Sequence, residues 1–363
     1  MTEPLQQRIA GLDMVRCLMN YMIVLLHAWA AFQYVDCTTW EFYGWTFVCS
    51  HLCAMALPAF FLVSGYLMFR NFSFSAWPEK MFRRLKRLFV PYLVWNVTFV
   101  VVYLAFAKFV PRFQDRVVMF GLNSFWGCFS KVLSFTVAPI DGPLWFIRAL
   151  LILSLFSPVI WILVKRRIKG IVLLGFCLGW IGVEIFSGVG KFLRHTLPAY
   201  AIFCVVLGGV LAVNGKELMS VFKHKLWFVA GFVACVLRAV ILIPYSVTQQ
   251  TPTWPYGLIV NYLFLLGAPA MISLVVNVRT GLIAESRTFS FLKDMSFFAY
   301  AGHFLICSSY LHLIAPRLHW MNSFKFTLLI LVFVGLGIPT MALIYYTGKR
   351  LFPRVLKLWD GTL

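Results

Sequence analysis

Charged residues are scarce in this 363-residue sequence, and acidic residues are the scarcest of them. Asp, Glu, Lys and Arg together make up 12% of the chain, whereas they make up about a quarter of a typical soluble protein. Hydrophobic residues make up 61% of the chain and aromatic residues 18%. This composition excludes a disordered chain, which has few hydrophobic residues, and a small scaffold stabilised by disulfide bonds. A membrane protein with many helices remains, and the lipid bilayer is its expected partner.

The sequence also lacks the patterns of several common functional sites. It contains no Cys-x-x-Cys pair for zinc or haem, no glycine-rich phosphate-binding loop and no internal repeat. We therefore expect no metal, and a single membrane domain over residues 1–363 without an appended soluble domain. Lys and Arg outnumber Asp and Glu by 32 to 12. These basic residues lie between apolar runs and do not cover one face, which argues against a nucleic-acid partner.

Apolar runs predict an all-α protein with about ten transmembrane helices. A hydrocarbon core about 30 Å thick is crossed by about 20 helical residues. Six runs without Asp, Glu, Lys or Arg meet or approach that length: Cys17–Val35, Phe42–Phe69, Leu88–Ala107, His195–Gly215, Met295–Pro316 and Phe326–Thr347. Three more contain one charge each: Leu144–Val164, Ile171–Ser187 and Leu226–Leu242. The remaining helix comes from the second part of the long run Ala239–Val278, in which Pro244, Pro252 and Pro255 make a break.

The distribution of Lys and Arg predicts the orientation of these helices. Most basic residues fall on alternate connections, beginning with the segment from Arg70 to Arg87. Because cytoplasmic loops are enriched in Lys and Arg, both termini are expected in the cytoplasm and the protein in the cell (inner) membrane. The connection between Ala107 and Leu144 is then an outer loop. Four tryptophans near helix ends are expected to anchor the membrane interface: Trp40, Trp45, Trp254 and Trp320.

The first predicted helix carries an unusual polar stripe. At 100° per residue, Asp13, Arg16, Asn20 and His27 fall within about 60° of one another on the helix surface. Arg16 and His27 are eleven residues apart, or about 16 Å along the axis. The stripe therefore joins the cytoplasmic side to a buried imidazole. Spacing alone leaves two readings open, a functional pathway and a hydrogen-bonded contact between helices.

Sequence motifs resemble those of a known family. The stretch from Arg8 to Arg16, followed after ten residues by His27, resembles the opening of the acyltransferase-3 family of membrane acyltransferases. Five further segments resemble family motifs in the expected order: Phe60–Tyr66, Lys80–Tyr92, Pro143–Phe146, Leu197–Gly209 and Ser296–His303. The resemblance covers most of the chain. Some members carry a hydrolase-like domain, so this sequence resembles the stand-alone form.

The resemblance implies a reaction and roles for the first helix. Members move an acyl group, commonly acetyl from cytoplasmic acetyl-CoA, onto a hydroxyl group of a glycan or another envelope molecule. His27 would be the catalytic base, because a neutral imidazole accepts a proton near neutral pH. Arg16 would neutralise charge on the donor or hold its thioester arm, and Asp13 would orient Arg16. Transfer through an acyl-histidine and direct transfer both remain open.

Further residues are candidates for substrate binding. Arg83, Arg84 and Arg87 match the Arg-x-x-Arg pattern of the family and would bind coenzyme A phosphates. Topology alone, or binding of anionic lipid, also explains a basic loop. His303 and His51 would line the acceptor site, although a lone histidine in a membrane helix is often a packing residue.

Three charged residues toward the outer side have two readings. Arg148, Glu184 and Arg238 would form Arg–Glu pairs between helices, or would bind the acceptor. Arg148, one turn from Trp145, is the strongest of them as a substrate-binding residue, and we predict that Trp145 and Arg148 contact the acceptor. Two other classes of function stay open. A transporter or flippase could use the polar stripe as a proton or substrate path, and a non-catalytic scaffold would not need that stripe.

Overall fold

The computed structural model describes residues 5–36, 39–134, 138–184, 196–248, 250, 252–253, 255–278, 286–318, 321 and 324–362. All regular secondary structure in these ranges is helical, as the sequence predicts. The helices of the first half are α1 Leu5–Ala28, α2 Trp40–Thr46, α3 Ala56–Phe69, α4 Trp77–Arg84, α5 Val90–Ala107, α6 Pro111–Met119, α7 Phe125–Leu133, α8 Trp145–Leu155 and α9 Ser157–Val164. Those of the second half are α10 Arg167–Val183, α11 Ala199–Val213, α12 Leu218–Val221, α13 Lys225–Thr248, α14 Tyr256–Leu265, α15 Gly267–Asn277, α16 Arg287–Ile314, α17 Lys325–Leu351 and α18 Pro353–Asp360.

Seven helical stretches within the described ranges are long and apolar enough to cross a membrane. They are Gly11–Tyr34, Trp40–Phe69, Trp77–Ala107, Lys225–Thr248, Tyr256–Asn277, Arg287–Leu318 and Lys325–Leu351. The pair Gly142–Leu155 and Ser157–Val164, bent by 63°, makes an eighth where it is counted as one span. The bend lies where Pro158 removes a backbone donor and disfavours a helical residue before it. The chain is therefore a multi-pass membrane protein.

The two predicted spans that remain, Ile171–Ser187 and His195–Gly215, correspond to shorter helices. Helix α10 has 17 residues and α11 has 15, which is below the length that crosses the hydrocarbon core without thinning it. The count of ten and the cytoplasmic position of both termini stay predictions.

The expected outer loop between α5 and α8 is only partly a loop. It contains α6 and α7, after which the chain is non-helical at Ser134 and from 138 to Asp141. Ser134, Ile140 and Asp141 are buried, so this connection enters the helix bundle. The sequence gives no sign of this insertion, because the contacts that hold it come from distant helices.

Two motif glycines bring α3 and α11 into close contact. A Cβ atom at Gly65 would overlap the carbonyl oxygen of Val205, and one at Gly208 would overlap that of Leu62. Small residues at such a crossing allow two membrane helices to pack backbone against backbone. This packing fixes α3, which carries Phe60 and Ser64, next to the candidate site.

Two buried carboxylates stabilise helix starts. Oε2 of Glu41 accepts hydrogen bonds from the backbone nitrogens of Phe326 (3.1 Å) and Thr327 (3.4 Å) at the beginning of α17. Oε1 of Glu184 accepts one from the backbone nitrogen of Ala199 (3.1 Å) at the beginning of α11. These nitrogens have no partner within their own helix, so each contact is a helix cap.

The predicted interface tryptophans are only partly described. Trp40 is exposed, and the indole of Trp45 donates a 2.9 Å hydrogen bond to Oγ1 of Thr327. Trp254 and Trp320 lie outside the described residues.

Candidate functional site

A cavity of about 700 Å³ lies between α1, α3, α8 and α16 and extends to Asp360–Thr362 at the end of α18. We call it the basic cavity. Its polar lining includes Asp13, Arg16, Arg84, Arg87, Lys293 and Tyr300. Aromatic side chains of Phe60, Phe146 and Phe297 form part of its apolar wall. Concave sites of this size with a few convergent polar groups are typical of small-molecule binding.

Three residues of the predicted polar stripe reach this cavity. Asp13, Arg16 and Asn20 line it together, as their shared helix face predicts. Oδ2 of Asp13 lies 3.8 Å from Nζ of Lys293 on α16, so Asp13 forms an ion pair with Lys293. Both side chains of this pair are partly exposed, and such pairs contribute little to stability.

The predicted arginine set divides into two parts. Arg84 and Arg87 line the basic cavity, and Nη1 of Arg84 donates a 2.7 Å hydrogen bond to Oγ of Ser154. Arg83 is not part of the described lining of the basic cavity, and its exposed side chain pairs with Glu79. The division follows from helix geometry, because positions i and i+3 share a face and i−1 does not.

A second cavity of about 620 Å³ adjoins the first. We call it the loop cavity. It is lined by Arg70, Lys80 and Arg83, and it shares Arg84 and Arg87 with the basic cavity. The backbone is π-helical from Leu85 to Phe89, a rare form that is frequent at functional sites. Among the described residues, the two cavities together are lined by seven basic residues and by three acidic ones, Asp13, Asp294 and Asp360, so their joint surface carries a net positive charge.

His27 and His303 form a pair inside the bundle. Their ring centroids are 4.9 Å apart and their planes are tilted by 53°. Nδ1 of His27 lies 2.8 Å from the carbonyl oxygen of Ile23, and Nδ1 of His303 lies 2.6 Å from that of Tyr300. A carbonyl oxygen only accepts, so both Nδ1 atoms carry the proton and both Nε2 atoms keep a lone pair. Each imidazole is therefore set up as a proton acceptor through Nε2.

Tyr300 connects this pair to the basic cavity. Neither histidine belongs to the described lining of the cavity, whereas Tyr300 does. Its ring centroid is 6.3 Å from that of His303, and its hydroxyl donates a 2.6 Å hydrogen bond to the carbonyl oxygen of Pro143. Tyr300 therefore lines the basic cavity and also contacts His303.

The structure does not bring Trp145 and Arg148 into the basic cavity. Their neighbours Phe146, Ile147 and Leu150 line it, while the Trp145 ring lies 6.1 Å from that of Phe61. Nη1 of Arg148 donates to the carbonyl oxygen of Ser134. The substrate-binding role of both residues stays a prediction.

The other charged candidates lie elsewhere. The guanidinium of Arg238 lies over the Phe264 ring, 4.5 Å from its centroid, and Glu184 caps α11 as described above. His51 is buried in a π-helical stretch, Phe47–Leu52. None of these three is part of the described lining of the basic cavity.

Sequence reasoning missed several residues of the site. Lys293 and the segment Asp360–Thr362 line the basic cavity without having been singled out. Trp359 holds that segment in place, because its indole donates to Oγ1 of Thr98 (3.1 Å) and its carbonyl accepts from the indole of Trp95 (3.0 Å).

Comparison with known proteins agrees with the motifs. Residues 9–349 match the model of the acyltransferase-3 family, described as an acyltransferase domain. The chain is also similar to the succinoglycan biosynthesis protein ExoH of Rhizobium meliloti (strain 1021), with 23% identity over 319 residues. That alignment covers 81% of this chain and 77% of the relative. No solved structure matches the chain.

Proposed function

Because this chain belongs to the acyltransferase-3 family and is an acyltransferase of the membrane, we propose that it transfers an acetyl group from cytoplasmic acetyl-CoA to a hydroxyl group of a cell-envelope glycan. The observation that carries this proposal is the basic cavity, which leads from a cationic surface to Tyr300 and the histidine pair. The relative named for succinoglycan biosynthesis supports a glycan as the acceptor.

The cationic surface suits an anionic donor. Coenzyme A carries several phosphate charges, and arginine binds phosphate through two parallel hydrogen bonds. We place its nucleotide in the loop cavity, near Arg70, Lys80 and Arg83, and its pantetheine arm in the basic cavity. Arg84 and Arg87 line both cavities and would hold the phosphates between these two parts. The abundance of Lys and Arg at this end of the bundle supports a cytoplasmic mouth.

The histidine pair suits proton transfer. Nε2 of His27 takes the proton of the acceptor hydroxyl while the hydroxyl oxygen attacks the thioester carbonyl carbon. The carbon–sulfur bond then breaks, and the protonated imidazole returns its proton to the leaving thiolate. The sum is one ester formed and one thioester consumed, with no net release of a proton. Arg16, at the far end of the stripe, neutralises charge on the bound donor.

Analysis of the envelope tests this function directly. A strain in which the gene is deleted should lose the acetyl mass increment from one glycan, as measured by mass spectrometry. Reintroduction of the natural chain should restore it, and reintroduction of the His27→Ala variant should not. An unchanged glycan profile in the deletion strain would contradict the proposal and would favour a transport role for the polar stripe.

A further inference from the structure

Ser134 and the segment from Asp141 to Pro143 are held inside the bundle by side chains from α5, α8 and α16, and the contact from α8 is the one from Nη1 of Arg148 to the carbonyl oxygen of Ser134. The Tyr92 hydroxyl and Oγ of Ser134 are hydrogen-bonded, and Oδ1 of Asn96 accepts from the backbone nitrogen of Asp141 at 3.2 Å. The Tyr300 hydroxyl binds the Pro143 carbonyl just beyond.

The depth of this connection follows from its partners. Asn96 lies near the middle of α5, and Tyr300 lies at the middle of α16. Non-helical backbone at membrane depth is tolerated only where protein buries it or where it lines a cavity. Such an insertion is costly to build, and it brings one chemical group to the centre of the bundle.

Asp141 is that group. Its side chain is fully buried, and neither carboxyl oxygen has a hydrogen-bond partner among the described residues. The surrounding backbone is satisfied by Asn96 and Tyr300, so the side chain alone is left without donors. A buried carboxyl group without a partner is strongly unfavourable. Among the described residues, Asp141 is therefore a buried carboxyl group whose hydrogen-bonding capacity is unused.

The position of Asp141 relates it to the histidine pair. A Cβ atom placed on the next residue, Gly142, would lie 4.0 Å from the Phe304 ring. The centroid of that ring lies 6.1 Å from the centroid of the His27 ring. The residue after it, Pro143, binds Tyr300, whose carbonyl oxygen accepts from His303. The two residues that follow Asp141 therefore make the contacts that lead to the imidazoles: Gly142 on the side of His27 and Pro143 on the side of His303.

The position also separates Asp141 from the donor side. Helix α8 spans Trp145–Leu155, about 16 Å. Asp141 precedes its first residue, whereas Ser154, near its last, binds Arg84. A hydroxyl-rich substrate would supply the hydrogen-bond donors that the Asp141 carboxyl group lacks.

We infer that Asp141 binds hydroxyl groups of the glycan acceptor and selects a polyhydroxylated substrate on the side of the histidine pair opposite the arginines. This inference rests on the proposed function. Asp141 touches the acceptor and not the donor, so its loss impairs transfer and leaves donor binding intact.

The test uses Asp141→Asn and Asp141→Ala in the deletion strain, where the cell supplies the natural acceptor. Glycan acetylation is measured by mass spectrometry, and the Kd for acetyl-CoA is measured on the purified variants in nanodiscs. We expect acetylation per folded protein to fall ten- to hundred-fold, as for the loss of one hydrogen bond to a charged group. The Kd should stay within two-fold of the natural value.

Glu41→Gln is the matched control, because Glu41 is also a buried carboxyl group but caps a helix. It should leave both acetylation and the Kd unchanged. Natural acetylation in both Asp141 variants would overturn the inference, and so would a Kd that rises in parallel with the loss of acetylation. If the natural chain binds no acetyl-CoA and its deletion leaves glycans unchanged, the proposed function fails instead.

Discussion

Replacement of Arg84 and Arg87 by lysine, one at a time, tests whether the basic cavity binds a coenzyme A donor. Lysine keeps the charge that topology requires, but it loses the planar fork that binds phosphate through two hydrogen bonds. One charge-assisted hydrogen bond contributes about 1.5–3 kcal/mol, so the Kd for acetyl-CoA should rise about ten-fold or more. In Arg84→Lys the contact with Ser154 is also disturbed, which makes this the larger of the two effects.

The change in Kd for Arg83→Lys is to be compared with the changes for Arg84→Lys and Arg87→Lys. The Arg83 side chain is 63% exposed and its partner Glu79 is 68% exposed, and exposed pairs contribute at most about 1 kcal/mol. We expect less than a five-fold change in Kd, which corresponds to about that free energy. Arg166→Lys, on an exposed turn before α10, is the matched control and should change nothing.

The assay is equilibrium binding to purified protein in nanodiscs, with acetyl-CoA and with an acetyl-pantetheine thioester that lacks the nucleotide phosphates. The loss of affinity in the lysine variants should appear with acetyl-CoA and should increase at low salt. It should disappear with the truncated donor. Equal losses of affinity for both donors would mean that these arginines do not contact the nucleotide phosphates. Natural affinity in both variants would leave topology as their role and refute the donor site.

Three further perturbations test other parts of the reasoning. His27→Ala should lower glycan acetylation by about 10²–10⁴-fold while the Kd for acetyl-CoA stays unchanged, and near-natural turnover would make His27 a packing residue. Arg16→Gln should weaken acetyl-CoA binding, because Arg16 lines the basic cavity; natural donor affinity would reverse the orientation of the site. Gly208→Ala should lower the Tm by several degrees, since its Cβ would overlap backbone of α3 and overpacking costs about 1–3 kcal/mol. Gly175→Ala, with no atom near its Cβ position, is the control, and equal Tm values for both variants would show that α3 and α11 are not closely packed.

The periodicity of the α-helix was sufficient to predict which residues of a single helix line the site together. Asp13, Arg16 and Asn20 share a face because 3.6 residues make a turn, and the cavity lies on that face. The separation of Arg83 from Arg84 and Arg87 has the same origin, although charge counting alone hides it.

Contacts between distant helices could not be predicted in this way. The motifs contained both His27 and His303, but nothing in their spacing states that residues 276 positions apart face each other. The inserted connection is held by Tyr92, Asn96 and Tyr300, each of which reads locally as one more residue of an apolar helix. The buried position of Asp141 could therefore not be predicted from the sequence around it.

The position of Asp360–Thr362 has a practical consequence for work on this protein. This segment lines the basic cavity, and Gly361 adopts φ +72° with its Cβ direction 2.6 Å from the carbonyl oxygen of Arg87. A tag attached next to this segment would lie at the rim of the cavity and obstruct entry of a large anionic ligand. The start of α1 offers no better place, because Asp13 and Arg16 lie in the same wall. The exposed turn Asn214–Lys216 is outside the described lining and suits an inserted tag.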